Sequence, residues 1–244
     1  MIGKHFLVKS LSNHRVKRHY TISNCLAHKA YQAYVQALQS GKDSARFPAD
    51  LLQEKPTNML TITSKNYKQA NGVSMRLNES TVDNYEIQGP MGKGLGIERS
   101  GTHVAYTAGT GILVFLDLVA YLIRRNLGLM SESEAAQIDD KDFKFIFYAS
   151  FPSKEEGIAL DMCEGLGALC KQHSIANFEF HLRLSNQSKE RWNNDFIEKS
   201  LKPHSGNLKK VWVCGPPKMN EDFDKCLGKL AAGGLIDKLK IDIM

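Results

Sequence analysis

A chain of 244 residues, 42% apolar and 24% charged, can bury one large core or two small ones, and this balance argues against disordered and fibrous architectures. The formal net charge of +6 sits at one end: residues 1–100 hold 14 Lys and Arg against 7 Asp and Glu, residues 101–244 hold 18 against 19, and no acid precedes Asp43. Five cysteines without a CxxC pair, eight histidines without HExxH spacing and the lack of a GxSxG elbow argue against a disulfide framework, a metal site and a hydrolase.

The acid-free basic opening has the composition of a mitochondrial transit segment. It equally suits a docking face for an acidic electron-carrier protein, a membrane surface or a larger assembly. A mitochondrial and a cytoplasmic location both remain open. Nucleic-acid binding would rest on the charge alone, since no recognition motif accompanies it.

Arg18 to Ile22, Met59 to Thr63 and Asn84 to Gln88 are short runs with period-two alternation and predict strands. Between the first two, Leu26, Tyr31, Tyr34, Val35 and Leu38 recur at helical spacing until Gly41, which places a helical insertion within 26–56. Residues 1–100 therefore read as a partial antiparallel barrel-like domain. Arg18 and Tyr20 share one face of their strand and Thr21 takes the other. An arginine can hold a phosphate bidentately, a tyrosine can stack on a planar ring, and a hydroxyl can hydrogen-bond a ring nitrogen. An ordinary exposed strand carries the same residue types. Gly72-Val73-Ser74 suits a small phosphate cradle, and Gly89-Pro90-Met91-Gly92-Lys93-Gly94 is a glycine-rich turn without the GKS or GKT of a P-loop. Plain loops account for both equally well.

From Gly101 onward strands and helices alternate. His103 to Thr107, Phe143 to Ala149, Phe178 to Leu184 and Val211 to Cys214 read as buried strands, with Lys238 to Ile243 able to close the sheet. Helices are expected over Ile112 to Arg125, around Ile158 to Cys170 and around Met219 to Leu230. His103 to Ile123 has the length of a membrane span, but Gly109, Gly111, Asp117 and a change of period make it a strand, turn and buried helix, so no transmembrane segment is expected. The fold class is an α/β doubly wound parallel sheet over 101–244, preceded by the partial barrel.

Two turns at strand ends stand out. Gly109-Thr110-Gly111 lacks GxGxxG spacing, yet its missing side chains would let the backbone approach a phosphate at a helix start. In Cys214-Gly215-Pro216-Pro217 the prolines fix a sharp turn and set a thiol at the mouth of the sheet. A glycine turn and a buried cysteine of purely structural use are the bland alternatives.

Taken in order, Arg18-x-Tyr20-Thr21, Gly72-Val73-Ser74, Gly89-Pro90-x-Gly92, Gly109-Thr110-Gly111-Ile112 and Cys214-Gly215-Pro216-Pro217 resemble the ferredoxin–NADP reductase superfamily. The nearest flavour is the NADH–cytochrome b5 reductase group. The resemblance implies an NAD(P)H-dependent flavin oxidoreductase that passes hydride from NADH or NADPH to FAD and electrons to a protein acceptor. It further implies that Arg18 contacts the flavin pyrophosphate, Tyr20 packs on the isoalloxazine and Thr21 hydrogen-bonds near its N5, while Gly72, Val73 and Ser74 cradle the FAD phosphates. Gly109, Thr110, Gly111 and Ile112 would bind the nicotinamide nucleotide's pyrophosphate. Cys214, Gly215, Pro216 and Pro217 would line the nicotinamide pocket, with Cys214 and Thr21 nearest the chemistry. Only seventeen residues precede Arg18, where the family usually has several strands, so the barrel is expected to be truncated and a protein partner to cover it. The alternative reading is a non-catalytic, reductase-like subunit docking, peripherally if at a membrane, into a larger complex.

Overall fold

The computed structural model describes residues 2–11, 17–41, 61–66, 72–79, 84–139, 141–187 and 192–244. Two separate sheets organise the chain. The first is antiparallel, in the order β2-β1-β3, from β1 (His5–Ser10), β2 (Lys17–Thr21) and β3 (Tyr85–Met91). The short α2 (Val73–Glu79) lies against it, and α1 (His28–Ser40) follows β2 in the chain. The second sheet is parallel, in the order β6-β5-β4-β7-β8, from β4 (Gly101–Ala108), β5 (Phe143–Phe151), β6 (Phe178–Leu184), β7 (Leu208–Cys214) and β8 (Ile241–Ile243). Its helices are α3 (Leu113–Asn126), the one-turn α4 (Glu132–Ala135), α5 (Leu160–Gln172), α6 (Asn194–Leu201) and α7 (Pro217–Ala232).

The parallel sheet is covered on both faces, as near-continuous apolar strands require. On one face α3 and α5 pack over Phe145, Phe147 and Trp212; on the other α6 and α7 pack over Val104, Tyr106, Val211 and Val213. Residues 101–244 are thus a doubly wound α/β unit. Lys238–Lys240, expected within the last strand, form a 3-10 turn instead, and only Ile241–Ile243 pair with β7.

The basic opening is part of the fold. β1 is the central strand of the small sheet, with Val8 facing Arg18 on one side and Ile87 on the other. A removable presequence cannot include it without losing the strand that joins β2 to β3. Of the strand expected from Met59 to Thr63, the described part shows a bridge, Ile22 with Ile62, and Met59 and Leu60 lie outside the described residues. The insertion helix is α1, and the remainder of the insertion, 42–56, is likewise outside them. α1 packs on the second unit: Tyr34, Ala33 and Ala37 enter the core with α3 and α5, Tyr31 donates to Asp161, and Gly165 admits Leu38, whose Cδ1 would lie 3.0 Å from any β-carbon there. No described helix is long and apolar enough to cross a membrane.

A fully buried histidine fixes the passage between the sheets. His103 on β4 donates from Nδ1 to Gly101 O at 3.2 Å and accepts the Glu98 backbone N–H on Nε2 at 3.2 Å. Its ring stacks on Trp212 at 5.6 Å, and Trp212 Nε1 donates to Leu95 O at 3.2 Å. These contacts hold residues 95–101 onto the sheet, and the acceptance on Nε2 requires a neutral imidazole. Burial accordingly pushes the His103 pKa from 6.5 down to about 4. The unfolded chain binds this proton below pH 6.5 and the folded chain only near 4, so stability is full above 6.5 and falls as pH drops through the interval, by about 3 kcal/mol. Urea unfolding across this range should show a shallower decline for His103→Gln than for the wild type. Equal declines would show that His103 does not titrate there.

Candidate nucleotide site at the switch point

From β4 the chain winds outward to β5 and β6, then returns past β4 to build β7 and β8. The loops leaving β4 and β7 therefore diverge to opposite faces and open a crevice at the carboxyl edge, the place where ligands enter such sheets. Both turns predicted from sequence lie at this crevice. Thr107 and Cys214 are register partners at its floor.

Gly109–Ile112 form a 3-10 turn that runs directly into α3, so several backbone N–H groups are stacked at the start of a long helix. Gly109 has φ +56°, a conformation that suits glycine, and no other atom lies within 4 Å of where its β-carbon would stand. Gly111 is the opposite case. A β-carbon there would overlap the Cys214 carbonyl and come within 3.2 Å of its Sγ. One glycine leaves space above the turn, and the other lets the two turns touch.

On the β7 side Pro216 is extended and Pro217 occupies the first turn of α7. Gly215 seats the turn against Met219 and Ala108, whose atoms would lie 2.6 and 3.4 Å from a β-carbon. Met244 donates its N–H to Val213 O at 2.9 Å and accepts from Asn220 Nδ2, so the last residue lies beside the same turn. Cys214 is half-buried, while the other four cysteines are buried, all as free thiols. Burial raises the Cys214 pKa to about 11, so this thiol is uncharged near neutrality.

The candidates of the first sheet gather on one side of it. Arg18 and Tyr20 stand on the face that α2 covers, with Gly72 before the helix, Val73 buried and Ser74 in its first turn. Arg18 is exposed and donates from Nη1 to Lys17 O at 3.0 Å. Tyr20 departs from expectation. Only 9% exposed, it belongs to the small core of Val8 and Val73, with Phe6, Leu77 and Tyr85 packed around it, because α2 closes over that face. Its ring is a packing element and does not present a face for stacking. Thr21, half-buried opposite His5, begins the segment that crosses to the second unit. Ser23 Oγ shares a hydrogen bond with Thr63 Oγ1 at 3.2 Å, and the Cys25 thiol, its pKa raised by burial and by Asp117, hydrogen-bonds that α3 carboxylate. Lys65 pairs with Glu156, in the loop after β5, at 3.6 Å. Sequence reasoning missed Asp117 and Glu156 as contacts of the first half, for no local pattern marks a contact made across more than ninety residues; Met219, only four residues after Gly215, read as the apolar face of its helix.

Solved structures with this architecture span the whole chain. The cytochrome b5 reductase domain of Ulva prolifera nitrate reductase is 17% identical, with TM-score 0.56 over 100% of this chain and 84% of that one. Ferredoxin-NADP+ reductase from Plasmodium falciparum is 11% identical, with TM-score 0.57 over 100% and 82%. The Flavohem-like FAD/NAD-binding domain of nitric oxide dioxygenase from Vibrio cholerae is 14% identical, with TM-score 0.57 over 100% and 84%. The chain has a ferredoxin-reductase-like fold. No protein-family model and no curated protein matches the sequence. At these identities the likeness is one of architecture, and the chemistry rests on the residues.

Gly111→Ala should separate the two turns, lowering stability by about 2 kcal/mol or more and abolishing nucleotide binding. Gly109→Ala, strained but unobstructed, should cost about 1 kcal/mol. Thermal melts and NADPH titrations check both, and equal effects of the two substitutions would contradict the assigned close contact.

Proposed function

We propose that the chain is an NAD(P)H-dependent flavin oxidoreductase, taking hydride from NADH or NADPH onto FAD and passing electrons to a protein acceptor. The observation that supports it most is the convergence of the Gly109–Ile112 and Cys214–Pro217 turns on one crevice at the switch point. The first turn offers backbone donors and a helix start to a pyrophosphate. The second offers a small, uncharged thiol and two prolines as a rigid wall for the nicotinamide ring. A thiol held protonated is a poor nucleophile, so Cys214 can border a reactive ring without attacking it.

FAD, when bound, would accept the hydride and release its electrons singly. The residues present fit its phosphates: the exposed Arg18 guanidinium and the Gly72–Ser74 helix start share one face of the small sheet. Thr21 leads toward α3 on the other face and can orient the ring edge. Tyr20 does not fit the stacking role, and no step is assigned to it. The opposite face of the small sheet, with Lys9, Lys17, His5 and His19 against Glu86, suits an acidic protein acceptor.

A non-catalytic docking subunit is the second reading, and the burial of Tyr20 favours it. The two part on one experiment: the visible spectrum of the purified chain, with FAD supplied, and NADH- and NADPH-driven reduction of an artificial acceptor. A yellow protein with turnover is expected, whereas a chain that neither retains FAD nor turns over would leave the docking role. Cys214→Ala should slow hydride transfer about tenfold with little change in nucleotide affinity. NADH should also protect Cys214 from maleimide, and an unprotected thiol would remove it from the pocket.

A further inference from the structure

The parallel sheet ends at β6, whose outer edge no described strand pairs. Asn177 O accepts from Phe145 N, and Ser185 N donates to Phe151 O, so the odd-numbered residues of β6 turn their backbone groups toward β5. Backbone groups alternate sides along a strand, and Phe178, Phe180, Leu182 and Leu184 therefore direct theirs outward. An open edge of this length is a template for another strand. Alongside it, a groove of about 670 Å³ lies between the edge and α5, lined by Glu164, Gly167, Ala168, Lys171, Phe180 and His181 among others.

The edge is nearly self-complementary. Laid antiparallel to itself about His181, Phe178 to Leu184 sets Phe178 opposite Leu184, Glu179 opposite Arg183 and Phe180 opposite Leu182. Outward backbone groups then meet outward backbone groups. Phe180 and Leu182 become a hydrogen-bonded pair, and the two His181 residues a non-hydrogen-bonded pair on the axis. Apolar side chains oppose apolar ones on the α5 face, and acid opposes base twice on the other. Within the chain Glu179 contacts Lys144 at 2.5 Å and His181 at 3.5 Å, and Arg183 donates to Ser150 at 3.3 Å.

α5 has the same symmetry. An antiparallel copy about the Gly167–Ala168 peptide brings Glu164 to Lys171 and puts those two small residues at the crossing. The two centres lie near each other, since a β-carbon on Gly167 would lie 3.9 Å from Phe180 Cβ.

We propose that the β6 edge and α5 form a homodimer interface, joining two five-stranded sheets into one of ten strands with the α5 helices crossing above the seam. Matching about one point is what an isologous contact between identical surfaces requires; an unrelated partner needs no such symmetry. The crevice between β4 and β7 lies two strands away and stays open.

Sedimentation equilibrium of the full chain at micromolar concentration is expected to give twice 27.3 kDa. Arg183→Glu places like charges at both ends of the seam and should weaken the dimer at least about tenfold, and adding Glu179→Arg should restore it. His181→Cys tests the register independently of affinity. Non-hydrogen-bonded pairs have Cα atoms about 4.5 Å apart, within disulfide reach, so copper–phenanthroline should convert this variant to a covalent dimer. Glu179→Cys, whose two copies would stand about 13 Å apart, should not cross-link. A monomer at micromolar concentration, or a dimer that His181→Cys fails to lock, would overturn the proposal.

Discussion

The contact of Gly111 with the backbone of Cys214 is the constraint on which the candidate site depends. It brings together two turns that the winding of the sheet would otherwise send to opposite faces, and it does so with no side chain between them. β4 is central and buried from Gly101 to Thr107, with β5 on one side and β7 on the other. The floor of the crevice, Thr107 beside Cys214, follows from that register. Gly109, free above, is where a phosphate can approach.

A crevice in one unit becomes a two-walled site only if the first half is anchored to it. Anchoring comes from several separate devices. Leu95 enters the main core and receives the Trp212 N–H. Lys93 pairs with Asp242 at 2.5 Å, holding the linker to β8, where Lys210 binds the same carboxylate at 3.0 Å. Cys25 and α1 dock on α3 and α5. Among the described residues the three-stranded sheet has a small core around Val8, Tyr20 and Val73, and these attachments tie the first half to the second.

The parallel sheet was legible because buried strands are written as apolar runs, such as Phe143 to Phe151, punctuated by glycine or proline at the ends that matter. The small sheet was less so. His5 to Ser10 carries the central strand, but its run of Phe6, Leu7 and Val8 does not alternate, and its basic setting draws attention to charge instead of pairing. α6 has only Phe196, Ile197 and Leu201 on its apolar face, and its clearest sign is the Asn193 side chain accepting from Phe196 N. Tyr20 shows a further limit: strand alternation places it with Arg18, yet whether that face is open depends on α2, more than fifty residues later. The Gly111 and Cys214 contact was half legible, since the glycine is visible and its neighbour is not.

The central claim is that both turns hold one pyridine nucleotide. Amide hydrogen exchange with and without NADPH addresses it directly, because each turn reports separately. Saturating nucleotide is expected to slow exchange in peptides covering Gly109–Ile112 and Cys214–Met219 together, at one apparent affinity. Protection of one turn without the other, or of neither while nucleotide binds elsewhere, would contradict the account.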